Sequence, residues 1–421
     1  MEQALQDDSG PHPEGEIRLI DEANPFHPVP GVRLAAVAAG IRYPNRQDLC
    51  LLELAPGTRC AAVFTRNAFC AAPVILARRN LAAAPPRYWL INSGNANAGT
   101  GPLGLGAAES CCAALARLAG CQAEEVLPFS TGVIGESLPV DRLVAALPQA
   151  WAELAAEAWP RAARAIMTTD TRPKLVSRRF AVGGREAVIT GMAKGAGMIR
   201  PDMATMLAFL ATDAALDQGL LQASLAEAVA TSFNAITVDG DTSTNDACVL
   251  AATGTLGNTP LVDADSPDAR AFRQALTELC EELATAIVRD GEGATKLVTL
   301  VVEEALDEPE ARRVADTIAH SPLVKTALFA SDPNWGRILA AVGRAGLPGL
   351  DIDRVRIWLG DTLIVRDGGR DPGYTEQAGR AAMAGAEIGI RVALGRGQAR
   401  TRVLTCDLSY DYVKINAEYR T

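Results

Sequence analysis

Two adjacent glycines, Gly183 and Gly184, separate two strand-like runs, Val176 to Val182 and Glu186 to Met192. A two-residue connection of this kind folds a strand back on itself, because glycine accepts the positive φ that a tight hairpin demands. Antiparallel pairing is therefore written into the middle of the chain. Around it, helix and strand patterns alternate. Ala107 to Leu118, Val140 to Met167, Leu220 to Ser232 and Ala269 to Ile287 read as helical. Breaks in the second are expected near Pro148 and Pro160. Met206 to Ala211, Ala247 to Leu256 and Val298 to Glu303 read as strands, and Asp263 to Pro267 and Gly346 to Asp353 as surface connections. Hairpins mixed with helical crossovers argue for an α+β fold of mixed layers rather than a purely parallel sheet. At 421 residues the chain exceeds the usual size of one core, so two domains or subdomains are expected.

A net charge of −10 argues against a nucleic-acid partner. The sequence contains no run of about 18 uninterrupted apolar residues, the length a membrane span needs. The start, MEQALQDDSGPHPEGE, has five acids, no base and no apolar core; residues 1–16 read as a disordered acidic tail rather than a signal peptide. The nine cysteines form no C-x-x-C pair, and most lie among apolar neighbours. Reduced, buried thiols in a cytoplasmic protein, without a zinc site, are the expectation.

Three histidines, His12, His27 and His320, lie far from any evident nucleophile. One way to activate a hydroxyl without histidine is the α-amine of its own residue, whose pKa of roughly 7.7–8.0 suits a base near neutrality. Ala204-Thr205 stands at the mouth of an apolar run, in KGAGMIRPDMATMLAFLATDA from Lys194 to Ala214. A cut between the two would expose such an amine on Thr205. Taken alone, Thr205 reads more readily as an ordinary β-branched residue opening a buried strand.

Other motifs carry less. LGLGAA, Leu103 to Ala108, precedes a helix, but its glycine spacing and the long loop before it fit a dinucleotide fingerprint poorly. DGDTSTND, Asp239 to Asp246, offers alternating oxygens but lacks the glycine and glutamate of a calcium loop, and reads as a polar turn before a strand. Ser130-Thr131-Gly132 follows a short apolar run, where a glycine lets the backbone approach a ligand.

The Lys194 to Ala214 run resembles the self-cleavage segment of the ornithine acetyltransferase family, the glutamate N-acetyltransferases of arginine biosynthesis. So do VPGVRLAAVAAGIR (29–42), VFTRNAF (63–69), INSGNANAGTG (91–101), STGVIGESLP (130–139), AIMTTDTRPK (165–174), DGDTSTND (239–246), RDGEGATK (289–296), SDPNWGRI (331–338) and NAEYRT (416–421), in order along nearly the whole chain. The chain departs mildly from the family pattern, with Gly99 where a cysteine is expected and a longer acidic tail.

The resemblance implies a two-domain fold with sheets sandwiched between helices, and a site where two self-cleavage products meet. Residues 17–204 would form one product and residues 205–421 the other, associating as a pair of heterodimers. It implies Thr205 as nucleophile, Ala204-Thr205 as the cut, Thr131 and Gly132 as the oxyanion pair, and Thr168, Lys194, Glu292, Asn416 and Thr421 as substrate contacts. It further implies ping-pong transfer of an acetyl group from N-acetylornithine to glutamate. No metal or cofactor is required, and acetyl-CoA is a further co-substrate in bifunctional members. A hydrolase using the same threonine, a nucleotide-binding oxidoreductase built on Gly104 and Gly106, and a non-enzymatic scaffold are the rival classes.

Overall fold

The computed structural model describes residues 26–200 and 206–418. The acidic tail, His12, Ala204, Thr205 and Thr421 lie outside the described residues. Strands β1 (Val32–Val37), β2 (Leu49–Leu54) and β3 (Arg59–Phe64) open the chain. Helix α1 (Ala72–Ala83), β4 (Tyr88–Asn95), α2 (Gly101–Ala119), β5 (Val126–Val133), α3 (Val140–Ala152) and α4 (Trp159–Ala165) follow. Then come β6 (Lys174–Val182), β7 (Arg185–Lys194), β8 (Leu207–Thr212), α5 (Gln218–Thr231), β9 (Ala247–Ala252) and α6 (Pro267–Arg289).

The hairpin forms as the glycines require. Val182 pairs with Arg185, and Gly183 and Gly184 both have positive φ. Helix α5 starts where the Asp217 carboxylate accepts the Gly219 N–H, and α6 where Ser266 Oγ accepts the Ala269 N–H with Pro267 in the first turn. Two expectations fail locally. Helix α3 runs through Pro148 without a break, because its buried stripe of Leu143, Ala146, Leu147 and Ala150 holds it against its sheet. LGLGAA lies inside α2 rather than in a loop before it, which removes the phosphate-binding turn that a dinucleotide site needs.

Two sheets stack face to face. One has the order β1-β2-β4-β5, the other β3-β9-β8-β7-β6. Their shared core includes Leu52, Trp89, Ile91 and Phe129 from the first and Met192, Phe209 and Val249 from the second. Phe209 is its hub, 5.0 Å edge-on from Phe129 and 5.8 Å from Trp89 between ring centroids. Helices α2 and α3 cover the outer face of the first sheet, and α5 and α6 that of the second. The result is a four-layer helix–sheet–sheet–helix sandwich, as expected. Both sheets mix parallel and antiparallel pairs.

The rest of the chain builds a second unit. Strand β10 (Leu297–Ala305), helices α7 (Glu308–Ala319), α8 (Pro322–Phe329) and α9 (Trp335–Gly343), and strands β11 (Arg356–Leu359), β12 (Thr362–Arg366) and β13 (Gly369–Arg370) lead to α10 (Glu376–Met383), β14 (Glu387–Ala393) and β15 (Ala399–Cys406). Its six-stranded sheet, β13-β12-β11-β14-β10-β15, has its own apolar core with these helices. Helix α11 (Tyr410–Glu418) then returns the chain to the sandwich. None of the helices among the described residues is long and apolar enough to cross a membrane.

Candidate active site

Strand β5 carries Ser130-Thr131-Gly132 just before its last residue, Val133, and β7 ends at Lys194. These two ends, one from each stacked sheet, meet: Lys194 Nζ donates to Thr131 Oγ1 at 3.2 Å. A hydroxyl that accepts from an ammonium keeps its own hydrogen for another acceptor. Around the pair lies a cavity of about 370 Å³ lined by Thr131, Gly132, Thr168, Lys194, Glu292 and Asn416, together with residues of the 239–245 turn. Six residues from five separate stretches of sequence thus converge. A larger cavity of about 1120 Å³ opens beside Lys174 and Asp290 but holds none of those six. The smaller one is the candidate site, because it collects complementary charges around the Thr131 hydroxyl.

Glycines set this geometry. At Gly132, which has a φ of +133°, a Cβ would overlap the Gly94–Asn95 backbone of β4. The close approach that requires glycine is therefore to the neighbouring strand, at a register shift of the β4–β5 pair, rather than to a ligand. At Gly197 a Cβ would overlap the Glu292 carboxylate. This glycine is the seat on which Glu292 rests, beside the Lys194 strand end, while Asn416 Nδ2 of α11 donates to Glu292 Oε2 at 2.8 Å.

Beneath the cavity runs a buried ionic network that the sequence reading missed. Lys174 Nζ lies 2.7 Å from both Asp170 and Asp290. Asp170 also accepts the Gly195 N–H at 2.6 Å and the Thr168 N–H at 3.1 Å, and lies 4.0 Å from Lys194. It thereby locates two of the expected substrate contacts. Burial alone would raise the Asp170 carboxyl, but Lys174, Lys194 and the Gly195 N–H together hold it well below the usual carboxylate range. Burial pushes Lys194 below the ordinary lysine range. Asp170 opposes that shift, Lys174 adds to it, and Glu292 and Asp246 oppose it further. The only local signal was the i, i+4 spacing of Asp170 and Lys174; Asp290 comes from the end of α6.

The 239–246 turn is a polar scaffold ahead of β9. Asp239 accepts the Met198 and Ile199 N–H groups at 2.6 and 3.0 Å and the Tyr412 hydroxyl at 3.3 Å. Asn245 Nδ2 donates to the Ala96 and Ser130 carbonyls at 2.7 and 2.9 Å, bracing the strand end that carries Thr131. Neither described histidine lines the cavity: His27 faces Arg179, and His320 faces Thr237. Seven cysteines are buried, as expected, and burial pushes their thiols up. Among the described residues no group of His, Cys, Asp and Glu is arranged to hold a metal ion.

The cavity thus brings a hydroxyl supported by a buried cation together with a carboxylate, at the ends of two stacked sheets. Residues 33–421 match the model of the ArgJ family. The chain is 61% identical over 394 residues to the arginine biosynthesis bifunctional protein ArgJ of Methylococcus capsulatus, covering 94% of this chain and 96% of that protein. It is 42% identical to a crystal structure of an arginine biosynthesis bifunctional protein from Bacillus halodurans (TM-score 0.47; 49% of this chain, 96% of that one). It is 36% identical to ornithine acetyltransferase of Mycobacterium tuberculosis complexed with ornithine (TM-score 0.36; 41% and 92%). The chain belongs to the ArgJ family and is an acyltransferase of arginine biosynthesis.

Proposed function

We propose that the chain cuts itself between Ala204 and Thr205 and then transfers an acetyl group from N-acetylornithine to glutamate through an acetyl-Thr205 ester. The observation that carries this reading is the convergence of Thr131, Gly132, Thr168, Lys194, Glu292 and Asn416 on one cavity. Thr205 Oγ attacks the acetyl carbonyl, and its proton passes to the Thr205 amine. The carbonyl oxygen becomes negative and takes hydrogen bonds from the Thr131 hydroxyl and the Gly132 N–H, with Lys194 adding positive charge behind Thr131. Collapse of the intermediate breaks the C–N bond, and the amine proton leaves with ornithine. Glutamate repeats the sequence in reverse and departs as N-acetylglutamate. One amide replaces another, so the exchange needs no metal or nucleotide. Lys194 and Glu292 supply opposite charges for the substrate's ionic groups, and Thr168, Asn416 and Thr421 complete the contacts.

The bifunctional name of the Methylococcus capsulatus relative supports acetyl-CoA as a second donor. Sheet interleaving supports lasting association of residues 17–204 with residues 205–421. β8 and β9 of the second piece sit between β3 and β7 of the first, paired antiparallel on both sides. Two such heterodimers, in the cytoplasm, are the proposed assembly. Denaturing mass spectrometry should find pieces of 204 and 217 residues. Thr205→Ala should abolish cutting and transfer, whereas Thr205→Ser should retain some of each. A single uncut chain with full activity would sink the proposal.

A further inference from the structure

The two substrates of the proposed exchange carry opposite charges at the ends of their side chains. N-acetylornithine ends in an ammonium, and glutamate in a second carboxylate. Among the described residues lining the candidate site, Lys194 is the one cation, against the carboxylates of Glu292, Asp239 and Asp241. Lys194 can meet one carboxylate of either substrate, and Glu292 suits the ammonium of the donor. The second carboxylate of glutamate would face like charge beside Glu292 and be repelled. It needs a cation beyond that wall. An adjoining cavity of about 220 Å³ supplies two. Arg42, Tyr43, Arg46 and Asp48 help line it, and it shares Thr168 and Thr169 with the candidate site.

The loop that carries both arginines is fastened from behind. Asp48, 3% exposed, accepts the Ala39 N–H at 2.7 Å on one oxygen and the Ile41 N–H at 2.6 Å on the other. Gln47 Nε2 donates to the Ala36 carbonyl at 3.0 Å. Arg46 Nη2 donates at 2.8 Å to the carbonyl of Met167, the neighbour of Thr168. Arg42 packs on β4 at Gly94, where a Cβ would come within 3.0 Å of its own, and its Nη1 lies 3.5 Å from exposed Glu136. Gly94 pairs with Gly132, so this loop borders the strand end that carries Thr131. We propose that Arg42 and Arg46 form the subsite for the second carboxylate of the acceptor, and so select glutamate over neutral amino acids. The inference rests on the transfer reading above. A guanidinium fork matches a carboxylate in shape as well as charge. Donor and acceptor then share Lys194 and the oxyanion pair but send their side chains in different directions, one to Glu292 and one past Thr168 to the arginines.

In a ping-pong exchange kcat/KM for each substrate reports its own half-reaction, so acceptor and donor are read separately. For Arg46→Met we expect kcat/KM for glutamate to fall about tenfold or more, and that for N-acetylornithine to change less than about threefold. Glutamine, which carries an amide in place of the second carboxylate, is the control acceptor. The preference for glutamate over glutamine should shrink by about the same factor as kcat/KM for glutamate. Arg46→Lys, which keeps the charge, should retain most of that preference, and Arg42→Met should shift it in the same direction as Arg46→Met. A merely structural role would lower donor and both acceptors together, and an unchanged preference overturns the proposal. If Arg46→Met does not fold, Arg46→Gln and Arg42→Met take the same reading. A wild type that accepts glutamine as readily as glutamate overturns the proposal without any variant. A wild type that passes the acetyl group to neither amino acid would instead defeat the transfer reading, whatever the variants do.

Discussion

Asp170 and Asp246 are both buried, both act on Lys194, and are built in opposite ways. Asp170 has a lysine at 2.7 Å and backbone N–H groups on both oxygens. Asp246 has one backbone N–H on one oxygen, with the Thr65 hydroxyl and the more distant Lys194 as its other polar neighbours. The same burial therefore leaves one carboxyl below its usual range and the other well above it. The first belongs to a floor that holds the site in shape. The second carries a burial penalty that its few polar neighbours do not offset.

The largest expected effect tests the floor. Lys174→Met leaves Asp170 and Asp290 buried without their shared cation and should cost about 3–5 kcal/mol in urea unfolding. A loss under about 1 kcal/mol would make the network dispensable. Thr131→Ala leaves the floor intact, so unfolding should barely change while kcat falls by roughly 10²–10³, as for other oxyanion donors. Equal kcat in the variant would remove Thr131 from the oxyanion role. Deleting residues 419–421 should weaken kcat/KM for N-acetylornithine by about ten- to a hundred-fold, near 1.5–3 kcal/mol, without affecting the cut. An unchanged kcat/KM would take Thr421 out of the site.

The smallest effect is a difference of sign. The unfolded Asp170 carboxyl binds its proton near the ordinary value of about 3.9, and the folded one only at lower pH. Its stabilisation is thus fully present above about pH 4 and fades as pH falls through the folded value. Asp246 works the other way: its folded value is raised, so it costs stability above the unfolded value, and the cost recedes as pH falls. Asp170→Asn should therefore destabilise at pH 7 and do so less in acid. Asp246→Asn should stabilise at pH 7, by about 1 kcal/mol, and do so less in acid. Thermal unfolding at several pH values reads both, and parallel curves for the two variants would erase the contrast.

Local chemistry was legible from residue order alone. Gly183-Gly184 dictated the hairpin because only φ > 0 closes a two-residue turn, and β6–β7 forms there with Val182 opposite Arg185. The apolar run after Thr205 became the buried strand β8, and the polar turn before Ala247 remained a turn. The grouping of Thr131, Thr168, Lys194, Glu292 and Asn416 as one site followed from resemblance alone, and the fold sets these residues around one cavity. Tertiary structure decided what depends on distant partners. Helix α3 ignores Pro148 because packing outweighs one missing N–H. Gly132 is required by the backbone of β4, which the sequence places over thirty residues away. Asp170, Lys174 and Asp290 are ordinary surface charges until the end of α6 meets β6, and Asp246 is an ordinary turn residue until β8 lies beside β9. Periodicity and turn chemistry act over a few residues, so a sequence displays them directly. Charge burial and unmet hydrogen bonds arise only once chain segments far apart in sequence have displaced the water between them.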